Sequence, residues 1–211
     1  MRKTFLAITL FLAFSKAALA QFGNCTASEM RTYVDSATGN TITMLTDTMK
    51  NDRFLYQTDP MWTADGKYLL FRSSSRGNDK EVESTLPNGE KRKWTPTQIY
   101  FIEMATGKII QATEGPNLGS AFLANKTNRM FVSRKEKENW NMYVMDLNKF
   151  FADVKQGKVG KPSAYETFIG TFPTEMGRPG GYAVDCNDDY AYITVEREGT
   201  EEEKERMMKN A

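Results

Sequence analysis

The side chains of this sequence that could bind a charged ligand are arginines, lysines and aromatic rings, because the chain contains no histidine. Lys91-Arg92-Lys93-Trp94 is the densest group of this kind. Cations beside an aromatic ring suit a carboxylated sugar, since the ring offers an apolar face while the cations pair with the carboxylate. The alternative, and the more common role of such a charge run, is a solvated loop stem.

The elements that must position these side chains follow a repeat. Trp62 to Phe71, Phe122 to Val132 and Ala183 to Val195 each combine an aromatic or small residue, a polar turn and an apolar strand. They return at intervals of about 60 residues, which indicates a stacked or radial repeat architecture. A two-sheet sandwich is the alternative, but a sandwich does not require one unit to return at a fixed interval.

A second kind of unit, a strand followed by a Thr-Gly turn and another strand, alternates with the first. It occupies Tyr33 to Thr46 and Ile99 to Thr113, and a degenerate copy starts at Met142. One unit of each kind supplies about four antiparallel strands, which is one propeller blade. The predicted fold class is therefore all-β, with about three blades. Because closed propellers have at least about four blades, we expect the propeller to be incomplete within this chain.

Two segments depart from the repeat. Ser73 to Trp94 is polar and charged and contains the turn sequence Pro87-Asn88-Gly89, which predicts a long exposed hairpin or loop. From Thr200 the composition favours a helix, and Thr200 with Glu203 forms a capping box. We expect residues 200–211 to be the start of a helix that continues in further sequence.

The first 20 residues predict export rather than folded structure. Arg2 and Lys3 form a basic region, Phe5 to Phe14 an apolar region, and Ala18-Leu19-Ala20 a small-x-small cleavage site. The apolar run is too short for a membrane-spanning helix. We expect a periplasmic or secreted protein without membrane association after cleavage, with propeller blades in residues 21–199. The net charge of +1 gives no overall field that would attract nucleic acid.

Cys25 and Cys186 flank most of the mature chain and would meet an oxidising compartment after export. A disulfide between them is therefore allowed. The favoured interpretation is instead that Cys186 is a small buried residue beside a turn.

The order of several short elements resembles the oligogalacturonate lyase family. These elements are Thr32-Tyr33, Asp35, Thr38-Gly39, Leu45-Thr46, Arg53, Tyr56-Gln57, the run from Thr63 to Phe71, and the stretch from Ile99 to Gly115. The resemblance covers nearly all of the mature chain and the first three blades of the family's seven-bladed propeller. Periplasmic TolB-type propellers share the Asp-Gly and Leu-Thr elements, so the run through Tyr56 is the more specific part.

The resemblance implies β-elimination on short pectin fragments, with a histidine base and a manganese ion held largely by histidines. A base removes the proton next to the galacturonate carboxylate, and the developing negative charge must be stabilised. Because this chain has no histidine, it carries neither the base nor the metal site of the family. Asp52 stands where family members often have a histidine before the matching Arg53. We therefore predict no catalytic residue and no metal ligand here, with manganese expected only for the full-length protein.

Three residues remain as predicted substrate contacts. Arg53 and Tyr56 lie on the lead-in to an inner strand, and Arg178 lies in a Gly-rich loop; such positions face the central pocket of a propeller. The arginine fork matches a uronate carboxylate, and tyrosine offers a ring face and a hydroxyl. The alternative is structural: Tyr56 would pack between blades, and the arginines would pair with Glu175 or Asp59.

The functional hypothesis is the N-terminal part of an exported oligogalacturonate-lyase-like enzyme, inactive by itself, that binds oligogalacturonate or another uronate-containing oligosaccharide. The alternative is a non-catalytic TolB-type propeller that binds a protein partner or a glycan. The propeller domain of an exported serine peptidase has less support, because no Gly-x-Ser-x-Gly motif is present.

Overall fold

The computed structural model describes residues 22–77, 80–85, 89–172 and 178–196. Within these ranges the chain is built mostly of antiparallel strands, with one α-helix and a short 3-10 turn at Pro162–Ala164. In chain order the elements are β1 Cys25–Thr26, β2 Arg31–Val34, β3 Thr41–Met44, β4 Asp52–Arg53, β5 Tyr68–Ser73, β6 Val82–Thr85, β7 Lys91–Trp94, β8 Gln98–Glu103, β9 Ile109–Gln111, β10 Leu118–Leu123, β11 Arg129–Glu136, β12 Asn139–Asp146, α1 Leu147–Gln156, β13 Glu166–Phe172, β14 Arg178–Val184 and β15 Ala191–Glu196.

The first sheet has the strand order β1-β9-β8-β5-β4. Its central strands β5 and β8 are buried almost throughout, as expected for runs rich in aromatic and β-branched residues. The predicted Thr-Gly turn joins β8 to β9, with Gly107 at a φ of 70° that favours glycine. A Cβ on Gly107 would also lie 2.1 Å from the Ser28 hydroxyl oxygen, so the N-terminal segment packs directly on this turn.

The second sheet has the order β10-β11-β12-β13. Its first hairpin turns at residues 125–128, as the repeat predicted. The degenerate third unit, which starts at Met142 in β12, was predicted to continue through a turn into one more strand. The structure instead places α1 and the 3-10 turn between β12 and β13.

Helix α1 begins and ends at residues with clear capping roles. The Asp146 carboxylate accepts a hydrogen bond from the backbone N–H of Lys149, and Gly157 closes the helix at a φ of 65°. The buried face carries Phe150 and Phe151 and packs into a core shared by the first two sheets. Phe151 stacks on Tyr68 of β5 with ring centroids 3.6 Å apart.

Three further hairpins form two-stranded sheets: β14-β15, β2-β3 and β6-β7. The hairpin β14-β15 is the third copy of the repeat, and its Tyr182 stacks on Phe122 of the second sheet with centroids 4.9 Å apart. The hairpin β6-β7 confirms the exposed hairpin predicted between residues 73 and 94. Most of the turn sequence expected there lies outside the described residues.

The hairpin turns of successive repeats are hydrogen-bonded to one another. The Asp188 carboxylate accepts backbone N–H groups of Asn125, Lys126 and Thr127 at 2.6 to 2.8 Å. In the same way the Asn128 side-chain oxygen accepts the N–H of Asp65 at 3.2 Å. Successive repeats are therefore joined by hydrogen bonds between their turns as well as by apolar contacts in the core.

The structure corrects the interpretation of the cysteines. Cys25 and Cys186 are both free thiols, and both residues are exposed. Cys186 lies in the turn between β14 and β15, where the chain faces solvent, so the prediction that it is buried was wrong. The predicted signal segment 1–20 and the predicted helix 200–211 lie outside the described residues, and both stay predictions.

None of the helices described here is long and apolar enough to cross a membrane.

Candidate ligand-binding cleft

Strands β4, β10 and β14 lie around one cleft of about 700 Å³. Its walls come from Asn51 and Arg53 at the start of β4, residues 118–122 of β10 and residues 180–182 of β14. Further lining residues are Trp94 at the end of β7 and the loop residues Leu55, Tyr56, Asp59, Pro96 and Thr97. Since polar side chains at strand ends can converge on such a cleft, it is the first candidate for ligand binding.

Arg53 and Arg72 form the most unusual feature of this cleft. They are directly opposite each other in the antiparallel register of β4 and β5, so their side chains share one face of the sheet. Both residues line the cleft and both are exposed. Like charges placed directly opposite each other across two strands are unfavourable. The pair is therefore an arrangement that an anion between the two guanidinium groups would stabilise.

Neither arginine is neutralised by an acidic side chain within the described residues. The Nε of Arg53 donates a hydrogen bond to Oδ1 of Asn51 at 3.3 Å, which orients the guanidinium without cancelling its charge. Asp59 lines the same cleft, yet it forms no ion pair with Arg53 or Arg72. The predicted alternative, an Arg53–Asp59 pair, is absent from this part of the chain.

The structure brings two of the three sequence-predicted contacts together. Tyr56 lines the cleft beside Arg53 and is 68% exposed, so it is not packed between sheets. Arg178 begins β14, whose residues Gly180 and Gly181 reach the cleft wall. The side chain of Arg178 and the whole of Glu175 lie outside the described residues, so the role of Arg178 stays a prediction.

The sequence analysis missed Arg72. Arg72 lies within the strand Tyr68–Ser73, whose mostly apolar sequence is typical of a strand in the hydrophobic core. The one signal in the sequence is a charged residue in an otherwise uncharged strand, and in the structure Arg72 is the one exposed residue of β5. Pairing of β5 with β4 brings this arginine to Arg53.

A buried ion cluster lies behind β4, on the face opposite the arginine pair. Arg76 donates to both carboxylate oxygens of Glu29 at 2.9 and 2.6 Å and to both oxygens of Asp52 at 2.8 and 2.5 Å. The side chains of Arg76 and Asp52 are only 6% and 9% exposed. The hydrogen bonds from Arg76 lower the pKa of the Glu29 carboxyl. Asp52 therefore holds β4 against the N-terminal hairpin, while Arg53 faces the cleft.

A second cleft, of about 780 Å³, lies at the opposite end of the sheets among the repeat turns. Its two carboxylates already have partners: that of Asp65 accepts from the hydroxyl of Thr63 at 2.7 Å, and that of Asp146 caps α1. Burial raises the pKa of Asp65, but the hydrogen bonds from Thr63, Lys67 and Asn128 outweigh burial and bring it to about 2. The carboxylates of this cleft therefore serve the contact between repeat turns and the cap of α1.

The metal implied by the resemblance does not fit the residues present. The described residues contain no group of three or more His, Cys, Asp and Glu side chains placed to hold a metal ion. The full sequence contains no histidine. The histidine-rich manganese site of the family therefore has no counterpart in the described part of this chain, and we derive no chemical step through a metal.

No protein-family profile matches the chain, and no curated protein matches it. Among solved structures it is similar to an oligogalacturonate lyase in complex with manganese, with 20% identity and a TM-score of 0.53 over 79% of this chain and 35% of that chain. The fold is a β-propeller.

A second solved structure, an oligogalacturonate lyase from Vibrio parahaemolyticus, is 21% identical with a TM-score of 0.53 and the same coverage. The chain spans about a third of the length of these two structures. In propeller terms the first sheet is blade 1, the second sheet is blade 2, and β14-β15 belongs to blade 3. The cleft then lies where the inner strands of three consecutive blades begin.

Proposed function

We propose that the cleft binds the carboxylates of a uronate-containing oligosaccharide such as oligogalacturonate. The observation that carries this proposal is the cross-strand pair Arg53 and Arg72, both exposed in the cleft and neither paired with an acid among the described residues. Each guanidinium can donate two parallel hydrogen bonds to a carboxylate, and such charge-assisted bonds are about twice as strong as neutral ones. A bound uronate would also relieve the repulsion between the two arginines.

The chain around the pair supplies what else a sugar requires. Tyr56 presents an exposed ring and hydroxyl beside Arg53, and such a side chain can cover a sugar face and bond its hydroxyl groups. In β-elimination, negative charge develops next to the carboxylate as its neighbouring proton leaves. Two fixed guanidinium groups at that carboxylate would stabilise this charge. The described residues thus bind and orient the acid group, and we assign no base among them.

We further propose that the chain is the N-terminal portion of an exported lyase that acts on oligogalacturonate. The support is the structural likeness to two oligogalacturonate lyases over 79% of this chain together with the export signal that the sequence predicts in residues 1–20. If residues 1–20 are removed on export, the N-terminal residue determined on the secreted or periplasmic protein will be Gln21.

Titration calorimetry with trigalacturonate and the full-length protein tests the binding proposal. Arg53→Ala and Arg72→Ala should each weaken binding about 10- to 100-fold, because each removes a charge-assisted contact worth about 1.5–3 kcal/mol. Arg129→Ala is the matched control, since Arg129 is an exposed arginine that lines the second cleft instead. Affinity unchanged in both cleft variants, or equal binding of a neutral trisaccharide, would contradict the proposal.

The second candidate function, a non-catalytic propeller that binds a glycan, is favoured by the absence of histidine from the sequence. Incubation of the full-length protein with trigalacturonate and manganese separates the two. Under the lyase proposal, absorbance of the unsaturated uronate product rises with time. Tight binding without any product would establish the glycan-binding alternative.

A further inference from the structure

The exposed hairpin β6-β7 rises from the rim of the cleft. Strand β5 ends at Ser73, opposite Asp52 of β4 and Gln98 of β8. The connection from β5 to β8 therefore leaves blade 1 at the edge where β4 begins, which is the edge that opens on the cleft. At the same edge of blade 2, β11 and β12 are joined by a tight turn between Glu136 and Asn139. The hairpin is thus an elaboration of blade 1 alone among these two blades.

The two faces of this hairpin differ in charge. On one face Lys91 bonds Glu83 at 2.7 Å, and Lys93 is opposite Glu83 in the strand register. The other face carries Arg92 and Trp94, since residues two apart on a strand point the same way. Across from them are the neutral Ser84 and Val82. One face therefore carries two lysines around a single carboxylate, while the other combines a cation with an aromatic ring.

The face with the aromatic ring is the one that meets the cleft. Trp94 is 37% exposed and lines the cleft wall together with Arg53 and Arg72. Arg92 follows on the same face about 7 Å further along the strand, because a strand rises about 3.3 Å per residue. Arg92 is exposed and has no acidic partner among the described residues.

We propose that the Arg92–Trp94 face is an outer subsite that sets the chain-length preference of the cleft. This inference rests on the proposed binding of uronates at Arg53 and Arg72. A sugar ring beyond the arginine pair stacks on the indole of Trp94, and its carboxylate or that of the next unit pairs with Arg92. Short ligands fill only the inner arginine site, whereas longer acidic oligosaccharides also engage the hairpin.

The test compares di- and pentagalacturonate binding by calorimetry in full-length protein. Trp94→Ala should weaken pentagalacturonate binding about tenfold or more and digalacturonate binding by a much smaller factor. Arg92→Ala should show the same dependence on length. Lys93→Ala is the matched control, because it removes a neighbouring cation from the opposite face of the hairpin. Both ligands should bind this variant with the affinity that they have for the wild type.

Tryptophan fluorescence supplies a second readout that does not depend on affinity. Pentagalacturonate should change the emission of the wild type, because its ring covers the exposed indole. Trp94→Phe should keep most of the affinity for pentagalacturonate and lose this emission change. A retained emission change in that variant would overturn the subsite.

The outcomes separate the two proposals. If Arg53→Ala weakens binding of both ligands while Trp94→Ala changes neither, the outer subsite is wrong and the arginine site stands. If Trp94→Ala weakens both ligands equally, the tryptophan belongs to the inner site and the length preference is wrong. If neither ligand binds the wild type, both proposals fail.

Discussion

Two neighbouring residues of β4 have opposite roles because a strand points successive side chains to opposite faces. Arg53 faces the cleft and is exposed, whereas Asp52 is 9% exposed and bonds Arg76 behind the strand. The position at which the resemblance led us to expect a histidine is thus occupied by a structural carboxylate. Its partner Arg76 also bonds Glu29 before β2, so one guanidinium joins the N-terminal hairpin to blade 1.

The Arg76 cluster leads to a prediction about stability. Arg76→Met should destabilise the fold by about 3–5 kcal/mol, because it leaves Asp52 and Glu29 without their cation in a largely buried site. Chemical denaturation monitored by circular dichroism measures this loss. Arg31→Met is the matched control, since Arg31 is exposed on β2, and it should change the stability by less than about 0.5 kcal/mol. Equal effects of the two substitutions would show that the cluster does not hold the hairpin.

The site residues differ in how far the sequence predicts them. Arg53 and Tyr56 were predicted because the order of the short elements around them resembles the lyase family, and both residues line the cleft. Arg72 does not follow, because its function depends on the pairing of β4 with β5, which is not a local property of either strand. Asp52 was recognised as a departure from the family, but its partner Arg76 is 24 residues away and has no sequence signal.

Among the elements, the repeat turns are held by carboxylates that act as anions bound to backbone N–H groups. Asp188 accepts three such groups and the Thr127 hydroxyl, and it adopts a φ of 65°. Successive N–H groups of a turn form a concave site suited to a negative charge. Burial raises the pKa of Asp188, but these hydrogen bonds outweigh burial and lower it below its ordinary value.

Asp188→Asn should therefore destabilise the protein at pH 7 by about 1–3 kcal/mol, since asparagine tolerates the backbone angle but loses the charge and one acceptor. The folded pKa is depressed, so the carboxylate stabilises the fold above the unfolded value of about 3.9 and less as the pH falls through the folded pKa. The difference between wild type and variant should shrink below about pH 4. Denaturation midpoints between pH 7 and 3 measure this, with Asp189→Asn as the neighbouring control. A difference that is constant with pH would contradict the prediction.

The sequence predicts the hairpins well, because turn residues between apolar runs are a local signal. It predicts less well those elements whose place in the fold depends on packing between blades. The repeat hairpins β10-β11 and β14-β15 and the exposed hairpin β6-β7 follow from turn residues between apolar runs, whereas the first copy pairs only through the single bridge from Trp62 to Leu69. Helix α1 was missed, although Asp146, Gly157 and the apolar spacing of Leu147, Phe150 and Phe151 are all helix signals. Its sequence follows a strand without a break, so the expectation of a regular blade hid it.

At the scale of the whole molecule, α1 packs against both blade 1 and blade 2, so that the two blades share one hydrophobic core. One apolar cluster contains Leu70 and Phe101 of blade 1, Val132 of blade 2, and Phe150 and Phe151 of the helix. Blade 3 joins through a separate cluster around Phe122. A repeat protein with such interfaces derives its stability from neighbouring units as well as from each unit. The cleft therefore depends on interfaces between blades, because each of its walls belongs to a different blade.

Phe151→Ala tests this coupling, since the ring is 5% exposed and contacts both Tyr68 and Phe101 of blade 1. We expect a loss of about 3–5 kcal/mol in the free energy of unfolding. In amide hydrogen exchange, protection should fall together in β5 and β8 of blade 1 and in β11 and β12 of blade 2. Phe168→Ala, which removes a 55% exposed ring from β13, is the control and should leave β5 and β8 protected. Loss of protection confined to α1 and blade 2 would show that the two blades open independently, and the shared core would then not be what holds the cleft together.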